Sequence, residues 1–313
     1  MPSTIPQHFV DEFAINVEHL AQRKGSKFRG TVKEKTFTGD ECTFEYLGSL
    51  EAAKITSRHA DTVISERPHS RRWVGKEDYS VAELYDWTDD HRVIVSLESE
   101  YVRGQAWAAG RKLDDILVAA FSADAKSDRT GSSTVSWSPQ AFTGATGDFS
   151  QDQLKIEHDY TELGAIGNSG TGMSLKKLRA VRRIFGMKDI DRDQNWYVAM
   201  TPTQEQDLLI DSDLTTVDRM NLKAYLNGEM PDFYGFKFVK TTALTATGGQ
   251  RQCWAYTQRA MGLGVGREVR TEMDRRPDKN NHLQILTTFS FGASRLIEDE
   301  VVEIECEDVT AAS

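Results

Sequence analysis

The stretch Ser96–Ser122, SLESEYVRGQAWAAGRKLDDILVAAFS, decides how the rest of the chain is read. Apolar residues fall at Leu97, Tyr101, Ala108, Leu113, Ile116, Leu117, Ala120 and Phe121. Most are three or four apart with no proline among them, which is helical spacing. Ser96 is a good N-cap, because its hydroxyl can accept from an orphan amide of the first turn. Glu98 and Glu100 follow where the helix dipole favours negative charge. At about 1.5 Å per residue, the run makes a rod about 40 Å long. Gly104 and Gly110 each weaken such a rod by about 1 kcal/mol relative to alanine. Packing or a close backbone approach is therefore expected at them. Taken alone, the rod fits the core of an α+β enzyme.

Composition narrows the class. With 313 residues and 39% hydrophobic content, the chain is long enough for one or two domains with a real core. A net charge of −10 argues against broad binding to phosphate backbones. Cys42, Cys253 and Cys306 are far apart and odd in number, which suits a reducing compartment and no disulfide framework. The opening MPSTIPQHFVDEF lacks the basic and apolar regions of a secretion signal. No run is apolar enough to span a membrane.

Outward from the rod, much of the chain has little core of its own. Phe9, Phe13, Val17 and Leu20 form a short helical stripe, followed by a basic linker, QRKGSKFRG. A stripe this short must dock on its own chain or on a neighbour. Residues 31 to about 80 alternate apolar and polar, pass through a polar middle and return extended. They read as one long antiparallel hairpin with a wide tip. Two strands alone are marginal in water, so the hairpin should lie across another surface. Between residues 58 and 76, Arg58, Arg67, Arg71, Arg72 and Lys76 face only Asp61 and Glu66. Trp73 sits among these bases. This is either a solvated basic loop or a strap that pairs with acids on a neighbouring copy.

The later chain has compact signals. Residues 123–172 read as loops and short strands. Ser174 caps a helix carrying Leu175, Leu178, Val181, Ile184 and Phe185, with Gly186 expected to end it. Its other side, with Lys176, Lys177, Arg179, Arg182 and Arg183, reads as a solvated face, with DNA contact the lesser reading. Trp196–Met200 is a strand running into Thr201-Pro202-Thr203-Gln204, a capping box with proline at the first helical position. In the last strand, Val302, Ile304 and Cys306 face one way, and Glu303, Glu305 and Glu307 face the other. From Glu298 to Asp308 there are seven acids and no base. This is the acidic surface expected to meet the basic strap.

Catalytic motifs are missing. MGLGVG at 261–266 has GxGxG rather than GxGxxG, so strand packing is its better reading. In GNSGTGMS at 167–174, Met173 stands where a phosphate loop needs lysine. The seven histidines give no metal-ligand spacing. Asp89-Asp90 and Asp114-Asp115 are adjacent, so their side chains diverge, and no GxSxG occurs. No catalytic, cofactor or metal residue is assigned.

The order of elements resembles that of tailed-bacteriophage major capsid proteins, whose fold is shared with herpesvirus capsid floors and encapsulins. The order is arm, hairpin, long helix, compact unit, return strands. Phrases similar to one phage capsid family are DWTDD at 86–90, AAGRKLDDILVAA at 108–120, LNGEMPDFYGFKFV at 226–239 and FGASRLIEDEVVEIEC at 291–306. The resemblance implies an α+β capsid fold: an N-terminal arm (1–30), an extended hairpin loop (31–82), a peripheral domain with a spine helix (83–135), an axial domain (136–250) and peripheral return strands (251–313). It implies a turn near the capsomer centre with Asn227, Gly228 and Pro231. The intersubunit candidates are Arg58, Arg67, Arg71, Arg72, Trp73, Glu298, Glu303 and Glu305. The implied protein is not an enzyme and uses no cofactor. It self-assembles into hexamers and pentamers of an icosahedral head around double-stranded DNA, without sequence-specific contact and away from membranes. Its expected place is the virion, and the host cytoplasm during assembly. Only about 30 residues precede the hairpin, which suggests a separate scaffolding protein. A portal is implied, and a decoration protein is left open. An encapsulin-like compartment and an α+β enzyme without a recognisable motif are the alternatives.

Overall fold

The computed structural model describes residues 24–54, 57–58, 61–62, 64–85, 98–142, 153–160, 171–191, 193–210 and 232–308. The first half supplies β1 (Lys33–Thr36), β2 (Glu41–Leu47), β3 (His69–Gly75), β4 (Glu77–Tyr85), α1 (Glu98–Ser122), β5 (Ala125–Ser127), β6 (Ser133–Val135) and β7 (Lys155–Ile156). Then come α2 (Leu175–Met187), β8 (Trp196–Met200), α3 (Pro202–Ile210), β9 (Asp232–Phe233) and β10 (Phe236–Lys240). Strands β11 (Ala246–Thr247), β12 (Gln250–Thr257), β13 (Met261–Arg276), β14 (His282–Arg295) and β15 (Val301–Glu307) close the chain. The Phe9–Leu20 stripe, Ser96 and the DWTDD run lie outside the described residues, as do Asn227, Gly228 and Pro231.

Three sheets carry the chain among the described residues. The first has the order β1-β13-β14-β4. On β14, the alternate residues Ile285, Thr287, Phe289 and Phe291 are buried, which is the period-two pattern of a sheet covered on one face. The long helix α1 covers it. The Gln105 amide donates to the Ile285 carbonyl at 3.2 Å and accepts from the Thr287 hydroxyl at 2.7 Å. Gly110 meets the main chain of Gly25, where a Cβ would stand 2.6 Å from a backbone carbon. The close approach expected of this helix glycine is therefore present.

The second sheet has the order β7-β15-β12-β8-β10-β9, with β11 beside β12. Phe121 of α1 stacks on Trp254 of β12 at 5.2 Å, joining the helix to this core. On the other side, Phe185 of α2 meets Trp196 of β8 edge-on at 5.3 Å. The Ser174 cap forms as expected, accepting the Lys177 amide at 3.4 Å. Gly186 does not end α2. The helix runs to Met187, the Lys188 amide bonds back to the Ile184 carbonyl, and the Asp189 amide bonds to the Gly186 carbonyl. The Thr201 box forms in altered wiring: the Thr201 hydroxyl bonds the Gln204 side chain, whose amide donates to Asp308.

The third sheet, β2-β3-β5-β6, corrects the single long hairpin. Only β2 and β3 pair as a hairpin. Their flanks are drawn into the first sheet, β1 against β13 and β4 against β14. The hairpin base also has its own small core, Cys42, Phe44 and Val74 against Leu296 of the same chain. The two-stranded ribbon solves its marginal stability within the subunit by adding β5 and β6.

Candidate intersubunit surface

The hairpin register sets which side chains face the body. Directly opposed residues share a face, so Cys42 with Val74 and Phe44 with Arg72 point inward. Glu45 with Arg71 and Leu47 with His69 point outward. Inward, Arg72 Nη2 donates to Glu298 Oε2 at 2.9 Å. Outward, Arg71 pairs with Glu45 across the strands and lies 5.9 Å from the Trp73 ring. Trp73 Nε1 donates to the Asp128 carbonyl at 2.8 Å, and Gly131 leaves room for the indole.

The expected charge match of strap and acids thus occurs at Arg72–Glu298, inside one chain. The rest of the acidic surface is corrected. Strand β15 is not an edge: β12 flanks it on one side and β7 on the other. Glu303 is only 5% exposed and accepts from Trp137 Nε1 at 2.9 Å. Burial pushes its carboxyl above the usual carboxylate range, partly offset by that hydrogen bond. Glu305 is paired with Lys155 at 2.8 Å. An alternating acid pattern looks solvated in sequence, but both faces of a central strand are covered.

Beyond the hairpin base the tip is different. The Gly48 amide donates to the Pro68 carbonyl at 2.8 Å, which brings the two ends of the tip together. There Arg58 and Arg67 are exposed. Leu50 is 46% and Ile64 86% exposed, which the polar reading of this segment overlooked. Their signal is Leu50, Ile55, Val63 and Ile64, aliphatic residues set in a polar stretch without a repeating period. A cleft of about 600 Å³ lies between the outward face of β3 and the turn after β5, with His69, Arg71 and Arg129 among its walls. Among the described residues, no group of three His, Cys, Asp or Glu side chains could hold a metal ion. No helix among them is long and apolar enough to cross a membrane.

A long helix over a four-stranded sheet, a second mixed sheet and a hairpin with an exposed tip define a capsid-type fold. The sequence matches the family described as phage capsid protein over residues 5–308. The chain belongs to that family and is a major capsid protein of a phage head. No curated protein matches it. Among solved structures, the capsid of cyanophage P-SCSP1u is similar at TM-score 0.69 and 16% identity, over 98% of this chain and 95% of that one. The capsid of Ralstonia phage GP4 gives 0.68 and 13%, covering 100% of both chains. The cyanophage Pam1 capsid gives 0.68 and 12%, over 94% and 95%. At such identities the likeness is one of fold.

Proposed function

We propose that copies of this chain build the hexamers and pentamers of an icosahedral head, and that the loop of residues 49–67 makes a principal contact between them. The carrying observation is the contrast within one hairpin. Its base is tied to its own chain through Arg72 and the Val74 cluster, while its tip exposes Ile64, Leu50, Arg58 and Arg67. Exposed aliphatic residues flanked by arginines suit a surface that is covered on assembly. Arg58 and Arg67 remain intersubunit candidates, whereas Arg71, Arg72 and Trp73 act in holding the base. The contents are double-stranded DNA, held without sequence-specific contact, in keeping with the net charge of −10. The role is structural rather than catalytic. A separate scaffolding protein and a portal complete the assembly, which forms in the host cytoplasm.

In this reading the peripheral domain combines residues 83–135 and 251–313, and the axial domain spans about 136–250. Replacing residues 49–67 by two glycines tests the proposal, since Gly48 and Pro68 already meet. The expected product is a folded subunit that elutes as a small species and forms no shells. Normal shells from the shortened chain would overturn the reading.

A further inference from the structure

The turn joining β14 to β15 is Glu298-Asp299-Glu300, and each acid holds a cation from a different element. Glu298 accepts from Arg72 of the hairpin at 2.9 Å. Asp299 accepts from Lys188, just past α2. Glu300 takes Arg259, from the turn between β12 and β13, together with the Thr257 hydroxyl. Behind Glu298 lies Arg295, wholly buried, its Nε 3.7 Å from Glu298 Oε1. Arg295 Nη1 donates to the carbonyls of Phe121 and Ala123 at 2.7 and 3.2 Å, at the C-terminal end of α1. Its Nη2 donates to Val135 of β6 at 3.2 Å, and its guanidinium lies 4.7 Å from the Trp137 ring.

We infer that Glu298, with Arg72 and Arg295, is a positioning residue that sets the direction in which the hairpin leaves the subunit. The inference rests on the assembly role proposed for the hairpin. The path is continuous: hairpin strand, Arg72, Glu298, Arg295, end of the long helix. A helix C-terminus favours a cation, so Arg295 has a fixed seat, and Glu298 is fixed in turn. The remaining polar atoms are left loose. Tyr46 Oη, Arg72 Nε, Arg295 Nε and Glu298 Oε1 are all buried without a hydrogen-bond partner among the described residues. Such atoms are rare in native interiors. Arg295 Nε and Glu298 Oε1 face each other at 3.7 Å, beyond hydrogen-bond length, while Tyr46 Oη and Arg72 Nε keep unused bonding capacity for a second arrangement of the hairpin. Glycines let the two chains cross in direct backbone contact beside this junction: Gly292 lies so close to Gly75 that a Cβ would stand 1.8 Å from its carbonyl oxygen.

The test compares full-length wild type with Glu298→Gln, Arg72→Met and Arg72→Lys. Amide exchange is measured on unassembled subunits, and particle diameter by electron microscopy after assembly. Glu298→Gln and Arg72→Met should speed exchange across β2 and β3 at least tenfold while β12 and β15 keep their protection. Their particles should spread in diameter or fail to close, and Arg72→Lys should restore both readouts. Unchanged β2 and β3 exchange in both variants would overturn the inference, as would loss of protection throughout the subunit. The exchange readout does not depend on shells, so a wild type that never assembles counts against the proposed function alone.

Discussion

The Asp114 carboxylate lies beneath the main chain of Lys27, accepting its amide with both oxygens at 3.0 Å. It also accepts the Phe28 amide at 3.3 Å and the Ser26 hydroxyl. The residue is fully buried on α1, so these donors replace the water it has lost. Phe28 is thereby held against Phe121 and Tyr256. Asp114→Ala strands several donors at once, and the expected loss is about 3 kcal/mol. Denaturant unfolding measures it. Limited proteolysis should cut between residues 24 and 32 in the variant first, and an unchanged cleavage pattern would show that the clamp is idle.

Gly292 and Gly75 make a different kind of contact, backbone on backbone. A Cβ at Gly292 has nowhere to go, because its neighbours are the Gly75 carbonyl and the Lys76 Cα. At Gly264 the nearest atoms belong to the Phe37, Cys42 and Val74 side chains, which can shift. Gly292→Ala should therefore cost about 3 kcal/mol and Gly264→Ala about half that, as overpacking does in well-filled sites. Paired melting curves compare them; equal losses would contradict the backbone contact.

These sites divide what local sequence can carry from what it cannot. The helices at Glu98 and Leu175 and the strands at Trp196 and Val301 follow from apolar spacing within a few residues, and they are legible. So is the strand reading of Met261–Gly266, whose glycines pack beneath Leu296, Phe37 and Lys76. Burial of charge is not legible. Lys177 falls on the basic side of its helix, yet it is wholly buried, donating to the carbonyls of His158, Thr171 and Glu305 at 3.1, 2.8 and 2.8 Å. Those acceptors lie up to 128 residues away. The same holds for the hairpin. Its alternation is local, but the partners that split it come far later: Lys33 pairs with Gly262 and Glu77 with Phe291. The exposed tip residues give only a weak signal, because a few aliphatic residues in a polar loop look like many harmless ones.

Glu303 offers a charge test of the corrected acidic strand. Its raised pKa arises first from burial, so the folded state binds this proton more tightly than the unfolded chain does. A group with a raised folded pKa contributes stability at low pH that is lost as pH rises through that value. Glu303→Gln keeps an acceptor for Trp137 and removes the buried charge. At pH 7 it should match or exceed wild-type stability, within about 1 kcal/mol, and its advantage should grow as pH rises above the carboxylate range. Assembly should be unaffected. A loss of shells with an intact subunit would return Glu303 to the intersubunit surface.

Asp308 has the opposite sign. Arg251 Nε donates to its Oδ2 at 2.9 Å, and Gln204 Nε2 donates to Oδ1 at 2.7 Å. The arginine holds the carboxyl below the usual aspartate range, and Gln204 adds to this. A depressed folded pKa means that the unfolded chain takes up the proton first as pH falls. The stabilisation is present above the ordinary value near 3.8 and is lost as pH falls through the lower folded value. Asp308→Asn keeps a carbonyl for one donor but loses the charge. It should melt below wild type at pH 7, by about 1 kcal/mol for a partly exposed pair. The gap should narrow steadily as pH is lowered from 5 to about 3. Melting curves of both proteins across that range decide it: a gap that stays constant with pH would mean that the pair is held by shape rather than by charge.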